Sequence, residues 1–496
     1  MRAERRWLAA GLAALLLLAG CTVEPPEPTE LPSPSATPLP RDFTVTTSGP
    51  LRVADPALAL GDTDALLVTN LYQRLMLVDP TTGELKPDAA TDCIFSSETV
   101  YECTLPPALA FHNGNQVTSS DVRFSIQRAL RLDVAGTAVG MLDSLVRISA
   151  PDPQTVRFHL AFADSRFGYA LTSLTASIVD EESFNPDTGL PLEALPIGSG
   201  PYLVESIGSE GAILDRFVDY VGPLVGVLDR IRLKRVADSA VAEAAIAEGS
   251  TDVVWRSLDP PALDRLEAEI EANPDKTTAM GFTRFPLDGT RVTRLAWVVD
   301  SDHRGDARLR EGVALALQAD RTLASLVPAG LEGYVPSFPV GGRPTLPAIE
   351  GDRIILTLRY QPSSPGHADV ASLVRARIEE LDRVSVRLVT EGGADLVLSD
   401  FPAWVPTAAG WMQDYLADPL PGSADKLAEL DRRARTTSGD ARLVALGELQ
   451  KQAAADATVL PVSQTDGILV LGRGVTVAGP AVAGSGHLGL WGLRHG

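Results

Sequence analysis

The residues best suited to chemistry are two aspartates and three aromatic residues between positions 399 and 421: Asp400, Trp404, Trp411, Asp414 and Tyr415. A carboxylate can hold a ligand ammonium group, whose loss of hydration would otherwise be uncompensated. An indole ring can stack on a ligand side chain or support a cation. The segment therefore contains the side-chain types that a site for a cationic group would need.

Predicted strands and helices in the second half of the chain must position these residues. Residues 353–360 and 384–388 read as strands on either side of a helix from 367 to 381, and residues 393–398 add a strand. Strand, helix and strand with short links predict parallel pairing. Ligands of open sheets bind beyond the carboxyl ends of such strands, which is where the candidate residues follow.

The first half of the chain predicts a second mixed α/β region. Residues 63–76 carry apolar side chains at helical spacing, and residues 145–160 alternate about a turn as a hairpin does. A helix over 239–247 followed by a strand at 252–255 predicts another parallel element.

A capped helix starts in the segment from 111 to 130. Asn113 and Gly114 tolerate the positive φ of a turn. Thr118 and Asp121 have the spacing of a capping box, in which two side chains satisfy free N–H groups at a helix start. The segment therefore predicts a strand end, a turn and a helix in succession.

The N-terminus has the pattern of an export signal. Three arginines in the first six residues precede a short apolar run and small residues before Cys21. The run is too short to span a membrane, so residues 1–20 are predicted to be a signal peptide. The ending before Cys21 resembles a bacterial lipobox, which implies a lipid on Cys21; an ordinary signal peptide with an incidental cysteine is the alternative. The proline-rich residues 21–42 predict an extended tether.

Length and charge narrow the class of protein. A chain of 496 residues is too long for one core, so two or more domains are expected. The formal net charge of −21 argues against nucleic-acid binding, which needs a basic face.

Two cysteines remain after Cys21. Cys93 and Cys103 flank a predicted hairpin, and facing positions of antiparallel strands come within bridging range. An exported chain meets an oxidising environment, so we expect a disulfide. Two free buried thiols remain the alternative, because the sequence does not fix the strand register.

The segment FHNGNQVTSSDVRFSIQRAL, residues 111–130, resembles the signature of the family 5 extracellular solute-binding proteins. These are the peptide, dipeptide and nickel receptors of ABC importers. Residues 69–72, 198–202 and 456–462 are similar to further family segments in the same order. The resemblance implies a two-lobed α/β fold of the periplasmic-binding-protein type, with mixed sheets and a hinge, and it adds Tyr72 to the candidate ligand-binding residues.

The resemblance also implies a domain layout. Residues 43–290 would form lobe I with a peripheral subdomain, and residues 291–460 would form lobe II. Residues 461–496 would return to lobe I.

Two alignments of the candidate site stay open. Gly410–Tyr415 resembles the family segment Gly-Trp-x-x-Asp-Tyr/Asn, whose Asp accepts the amino terminus of a bound peptide. This implies an anchor at Asp414, with Trp411 and Tyr415 beside it. The other alignment keeps the distance from the preceding strand and starts the site at Asp400; Trp404 then takes the place of the acid, and the amine anchor is absent.

The sequence favours binding over catalysis. It contains no nucleophile elbow, no His-Glu-x-x-His and no paired-cysteine zinc spacing, and its six histidines share no ligand spacing. We therefore predict no enzyme activity, no cofactor and no metal site.

The function that the resemblance implies is solute capture for import. We expect a monomeric lipoprotein on the outer face of the cell membrane that closes on a peptide or related small solute. It would deliver that solute to an ABC permease and ATPase. The alternative is a non-transport envelope lipoprotein that uses the same fold as a sensing or interaction module.

Overall fold

The protein is built on a ten-stranded mixed sheet. The structure is a computed structural model that describes residues 42–79, 82–401, 405–478 and 487–496, without the side chains of 288–290. The predicted signal peptide, Cys21 and Trp404 lie outside the described residues, as does all of the predicted tether before Asp42. Residues Asp42–Gly496 form one compact unit.

The strands are β1 Phe43–Thr47, β2 Met76–Val78, β3 Leu85–Pro87, β4 Asp92–Ser97, β5 Val100–Thr104, β6 Leu145–Asp152, β7 Thr155–Leu160, β8 Tyr202–Gly208, β9 Gly211–Arg216, β10 Arg230–Arg235, β11 Val253–Trp255, β12 Thr283–Trp297, β13 Ile354–Tyr360, β14 Val384–Val389, β15 Leu396–Asp400, β16 Val459–Leu471, β17 Val475–Val477 and β18 Leu493–His495.

The α-helices are α1 Asp62–Leu71, α2 Ser119–Leu132, α3 Phe167–Ala170, α4 Ser239–Ala247, α5 Pro260–Ala272, α6 Ala307–Ala316, α7 His367–Ile378, α8 Ala408–Trp411, α9 Gln413–Ala417, α10 Ala424–Thr436 and α11 Gly439–Asp456. Short 3-10 turns occur at Ala138–Leu142, Leu174–Ala176 and Leu490–Gly492.

The strand order of the large sheet is β14-β13-β15-β12-β16-β11-β1-β10-β9-β8. β1 pairs in parallel with β10 and β11, and β13 pairs in parallel with β14 and β15. β12 and β16 are antiparallel to each other and to their outer neighbours. The sheet is mixed, and both predicted parallel units are confirmed.

Two long strands, β12 and β16, run through the middle of this sheet. The first part of β12, Thr283–Leu287, pairs with residues 471–467 of β16 beside β11. The second part pairs with residues 465–459 and lies beside β15. The register shifts between Leu287 and Arg291, so the two parts of the strand pair are separated by an irregularity.

Three large hydrophobic clusters pack around the sheets. The first core contains Phe43, Leu67 and Leu469, and the second core contains Leu295, Leu358 and Leu449. The peripheral core gathers residues between 75 and 178 around the four-stranded sheet β4-β5-β7-β6. A smaller cluster lies between α4, α5 and β16. The chain thus buries its apolar side chains in several separate cores.

The disulfide and the capping box are both present. Cys93 and Cys103 face each other in β4 and β5 and are bonded through their sulfurs. Thr118 caps α2, and its backbone N–H donates to Asp121 Oδ2 at 2.8 Å. Local sequence therefore determines the structure in both places.

Helix α1 is shorter than predicted. It ends at Leu71, and Tyr72 has the extended dihedrals φ −124° and ψ 146°. The loop from 198 to 200 packs on this end, where the Gly200 N–H donates to Leu71 O at 2.9 Å. A distant loop thus caps a helix whose apolar pattern continues beyond its end.

Candidate ligand-binding cleft

A cleft of about 240 Å³ lies where the parallel strands of both halves end. On one side it is lined by residues after β1 and β11, and on the other by residues after β13 and β15. The strands β12 and β16 contribute Arg291 and residues 466–468. Carboxyl ends of parallel strands are the usual place for a ligand in an open sheet, and here two sets of them face one cavity.

Asp400, the last residue of β15, is held by three partners. Thr293 Oγ1 donates to it at 2.8 Å and Arg291 Nε at 2.9 Å, while His367 Nε2 lies 3.0 Å from Oδ1. Burial raises the pKa of Asp400, but His367 and the Arg291 charge outweigh burial, so the net pKa is well below 3.8. The cleft therefore keeps an ionised carboxylate on the side of the second core.

Asp62 and Arg256 form a second ion pair on the side of the first core. Arg256 Nη1 donates to Asp62 Oδ1 at 3.0 Å, and its guanidinium carbon lies 4.7 Å from the centre of the Trp255 ring. Arg256 has φ +46°, which is uncommon for a non-glycine residue. Stacking and pairing together hold this cation at the cleft wall directly after β11.

The cleft carries both signs of charge. Its lining includes three arginines and three aspartates: Arg52, Arg256, Arg291, Asp62, Asp400 and Asp466. The remaining polar lining comes mostly from serines and one glutamine, and Leu60, Val254, Leu258 and Leu263 add apolar surface. Such a lining is suited to a small solute that carries an ammonium group and a carboxylate.

Asp414 pairs with the buried Arg294 at the second core. Arg294 Nη1 donates to Asp414 Oδ2 at 2.6 Å, and Arg294 Nη2 donates to the carbonyl oxygens of Leu326 and Trp411. The Arg294 guanidinium carbon also lies 4.1 Å from the centre of the Phe401 ring. Burial lowers the pKa of Arg294, and the Asp414 charge offsets this only in part.

The other residues singled out in the sequence lie in cores. Trp411 is buried in the second core, and the Tyr415 hydroxyl donates to Asp456 at 2.6 Å. The buried Tyr72 hydroxyl donates to Ala54 O at 2.8 Å in the first core. Of the described candidate ligand-binding residues, Asp400 lines the cleft; Asp414, Trp411, Tyr415 and Tyr72 are not among the described residues that line it.

Several charged or polar cleft residues were missed from the sequence, among them Asp62, Arg256, Arg291 and His367. Arg256 directly follows the predicted strand 252–255, so the strand-end rule used for the second half could have found it. His367 is the first residue of α7 and directly faces Asp400. Nothing local marks Asp62 or Arg291, because their partners are far away in the sequence.

The described part of the chain lacks a cluster of metal ligands and a membrane-spanning helix. There, no three His, Cys, Asp or Glu side chains are grouped as metal ligands would be. No helix among the same residues has the length and apolarity that a membrane crossing requires.

Comparison with known proteins identifies the family. The pattern of the bacterial extracellular solute-binding proteins, family 5 (middle region), matches residues 84–343, which are 260 of the 496 residues. A solved structure of the periplasmic binding protein DppA from Helicobacter pylori, in complex with the peptide STSA, superposes with a TM-score of 0.75. That match covers 92% of this chain and 98% of the other at 17% identity, so it shows the two-lobed fold.

Two curated relatives match parts of the chain. The HTH-type transcriptional regulator SgrR of Pectobacterium atrosepticum is 28% identical over 174 residues, which are 35% of this chain and 30% of the regulator. The probable D,D-dipeptide-binding periplasmic protein DdpA of Escherichia coli K12 is 23% identical over 351 residues, 66% of each chain. The chain thus aligns with less than two thirds of each relative.

The fold, the cleft and the extent of the sequence match agree with each other, and the predicted absence of enzyme activity agrees with them. The chain belongs to the bacterial extracellular solute-binding proteins of family 5, which are binding proteins and not enzymes.

Proposed function

We propose that the protein is a lipid-anchored receptor of an ABC importer that captures a short peptide or a related small solute outside the cell. Cys21 would carry the lipid, and residues 21–42 would hold the receptor away from the membrane. The permease and ATPase would take the solute from the closed receptor. The peptide-binding names of DdpA and of the Helicobacter DppA support this class of ligand.

The proposal rests on two Asp–Arg ion pairs, one on each side of the cleft. Asp400 with Arg291 belongs to one side, and Asp62 with Arg256 to the other. A ligand ammonium group approaches a carboxylate and a ligand carboxylate approaches a guanidinium, so a zwitterion can contact both sides at once. A cavity of about 240 Å³ favours a ligand of one or two residues over a long peptide.

Closure would occur about the strands β12 and β16. The register shift between Leu287 and Arg291 lies near residue 290, where the sequence predicts the lobe boundary. Hinges are commonly a few positions that absorb a backbone change between two packed bodies. In this proposal, contacts made only in the closed state shift the equilibrium toward closure when ligand binds.

Two residues are candidates for the anchor that binds the ammonium group of the ligand. Asp400 lines the cleft, whereas Asp414 already has Arg294 as its cation. We therefore propose Asp400 as the anchor, with Asp414 as the alternative that the family segment implies.

Calorimetry with a defined dipeptide pool tests both candidates. Asp400→Asn is expected to weaken binding about tenfold or more, because a charge-assisted hydrogen bond is lost. Asp414→Asn is expected to leave binding unchanged. The reverse pattern would move the anchor to Asp414, and no binding by the unmodified protein would reject the peptide ligand. Mass spectrometry of molecules that copurify with the protein would then identify the true ligand class.

A sensing role is the second candidate function. The match to SgrR, which is named as a transcriptional regulator, favours it because a similar segment occurs there in a protein that is not named as a receptor for transport. Deleting the gene of this protein distinguishes the two. Transport predicts loss of solute uptake in the deletion, whereas sensing predicts unchanged uptake.

A further inference from the structure

Five charged residues that do not line the cleft join α10 to loops of the peripheral core. We call this cluster the clamp, and it comprises Asp143, Asp164, Arg166, Asp431 and Arg435. Asp143, Asp164 and Arg166 lie beside the 3-10 turn Ala138–Leu142 and α3, which pack in the peripheral core. Asp431 and Arg435 lie on α10, which packs in the second core.

Arg435 makes most of the contacts across the clamp. Its Nη1 and Nη2 donate to the two oxygens of Asp143 at 2.8 and 2.7 Å, and Nη2 also donates to Asp164 at 2.6 Å. Ser165 donates to the Arg435 carbonyl oxygen through its N–H at 3.0 Å and its hydroxyl at 2.8 Å. The Arg435 guanidinium carbon lies 4.7 Å from the centre of the Phe162 ring.

Arg166 completes the cluster from the other direction. It donates to Asp143 at 3.1 Å and lies 3.6 Å from Asp431 on α10. The side chains of Arg435, Arg166 and Asp164 are almost fully buried. The Arg435–Asp143 contact is bidentate and the Arg435–Asp164 pair is buried, so together they favour one geometry around a buried guanidinium.

An apolar contact also joins the second half of the chain to the peripheral core. Val405, which follows β15 of the second half, is fully buried in the peripheral core. The two halves therefore meet both along β12 and β16 and, separately, at the clamp.

We propose that the clamp holds the two lobes in the closed arrangement without ligand, and so sets the energy that opening must overcome. This inference rests on the proposed hinge closure but not on the identity of the ligand. A closed state that is already populated raises the apparent affinity, because less binding energy is used for closure. It also makes release of the solute depend on an event that separates α10 from the peripheral core.

Asp164 and Arg435 stay charged in the neutral range. Burial raises the pKa of Asp164, but the hydrogen bond and charge of Arg435 outweigh it, so the net pKa is below 3.8. The pKa of Arg435 is raised by Asp143 and Asp164 against the effect of its own burial. Replacement of a charge, not a mild pH change, is therefore the way to test the clamp.

The test measures the distance between the lobes in ligand-free protein. Spin labels on Gln154→Cys, at the turn between β6 and β7, and Ala428→Cys, on α10, report it by pulsed electron resonance; both positions are exposed. The chain carries Cys21→Ser so that only these two sites are labelled. Asp143→Asn removes the bidentate partner of Arg435 without creating a buried charge of its own.

Glu448→Gln is the matched control. Glu448 pairs with Arg433 of the same helix α10 but lies on α11, within one lobe. The Glu448 side chain is 44% exposed and that of Asp143 is 52% exposed, and each substitution removes one carboxylate charge. We expect Asp143→Asn to shift the distances to longer values and Glu448→Gln to leave them unchanged.

Arg435→Lys is a second variant that tests the clamp. A lysine keeps the charge but cannot form the bidentate contact, so it is also expected to lengthen the distances. Identical distance distributions for Asp143→Asn and Glu448→Gln would overturn the proposal. Because no ligand is present, this outcome is independent of whether the protein binds peptides.

Discussion

At the residue scale, the same side-chain type takes different roles according to the cation that the fold brings to it. Asp400 and Asp414 are close in sequence, and each pairs with an arginine of β12: Arg291 for Asp400 and Arg294 for Asp414. These arginines are three positions apart on one strand, so they point to opposite faces of the sheet. One pair lines the cleft, and the other supports the second core.

Asp414→Asn is predicted to reduce stability. The buried Arg294 would keep its other hydrogen bonds but lose its counter-charge, at a cost of about 2–4 kcal/mol in the free energy of unfolding. Urea denaturation measures this cost. Asp187→Asn, which breaks an exposed pair with Arg131, is the control and should change little. Equal midpoints for the two variants would show that the Arg294–Asp414 pair is not a structural contact.

His112 gives a prediction about pH. Its Nδ1 accepts from the Gly198 N–H at 3.2 Å, and its Nε2 donates to Gly200 O at 3.1 Å, which requires the neutral ring. Burial lowers the pKa of His112 to about 4, against about 6.5 in the unfolded chain. The unfolded state therefore binds the proton first as pH falls, and the stability contributed by neutral His112 is lost between about pH 6.5 and pH 4.

The measurement is the free energy of unfolding between pH 7 and pH 4. His112→Asn should flatten its pH dependence by about one proton, even though the variant is less stable overall. His487, whose pKa burial also lowers to about 4, leaves a remaining slope. A slope that is unchanged in the variant would contradict the assigned neutral state.

The residue scale is where the sequence predicted least. Asp414 was visible as an acid in a family-like segment, but its partner Arg294 lies 120 positions earlier on another element. Asp400 was found because it lies just beyond the end of a predicted strand. Long-range pairing of charges depends on register, and the sequence does not specify register.

At the element scale, the loop from 198 to 202 is explained by close packing on the end of α1. A Cβ added at Gly198 would lie 2.0 Å from Leu71 O, which is a backbone atom and cannot move aside like a flexible side chain. The glycines of this segment therefore serve the approach of two backbones, and not a phosphate or other ligand.

Gly198→Ala is predicted to cost about 3 kcal/mol, because the loop must separate from α1 and from His112. Urea denaturation measures the loss in the free energy of unfolding, and thermal melting provides an independent comparison of the variants. Gly140→Ala is the control, since a Cβ there meets nothing within 4 Å and the residue has no positive φ. A Gly198 variant as stable as the Gly140 variant would mean that the loop tolerates displacement from the helix.

Elements with complete local signals were predicted well. The capping box of α2, the hairpin of β4 and β5 and the parallel pair β13 and β14 each follow from residues near one another in the sequence. The length of α1 was overestimated, because the loop at 198–200 is invisible to helical periodicity. Where a contact is local the pattern suffices, and where it joins distant segments the pattern does not.

At the scale of the whole molecule, one sheet is shared by two cores. The sequence predicted two bodies with parallel strands, but not that β12 and β16 would join them into ten strands. These two strands pair with each other in both halves, so each core contains part of the same strand pair. Separate cores on a shared sheet are expected to depend on each other for stability, while leaving room for a hinge at the irregularity.

Leu295→Ala tests this dependence. Leu295 is fully buried on β12 in the second core, and its truncation should cost about 2–5 kcal/mol. Because the loosened strand continues into the first core, the slowest-exchanging amides of α1 should lose protection together with those of α11. Leu469→Ala, on β16 in the first core, should give the same joint loss. Native-state hydrogen exchange measures both helices in one experiment. Faster exchange in α11 alone for Leu295→Ala, with α1 unchanged, would mean that the lobes unfold independently despite the strands they share.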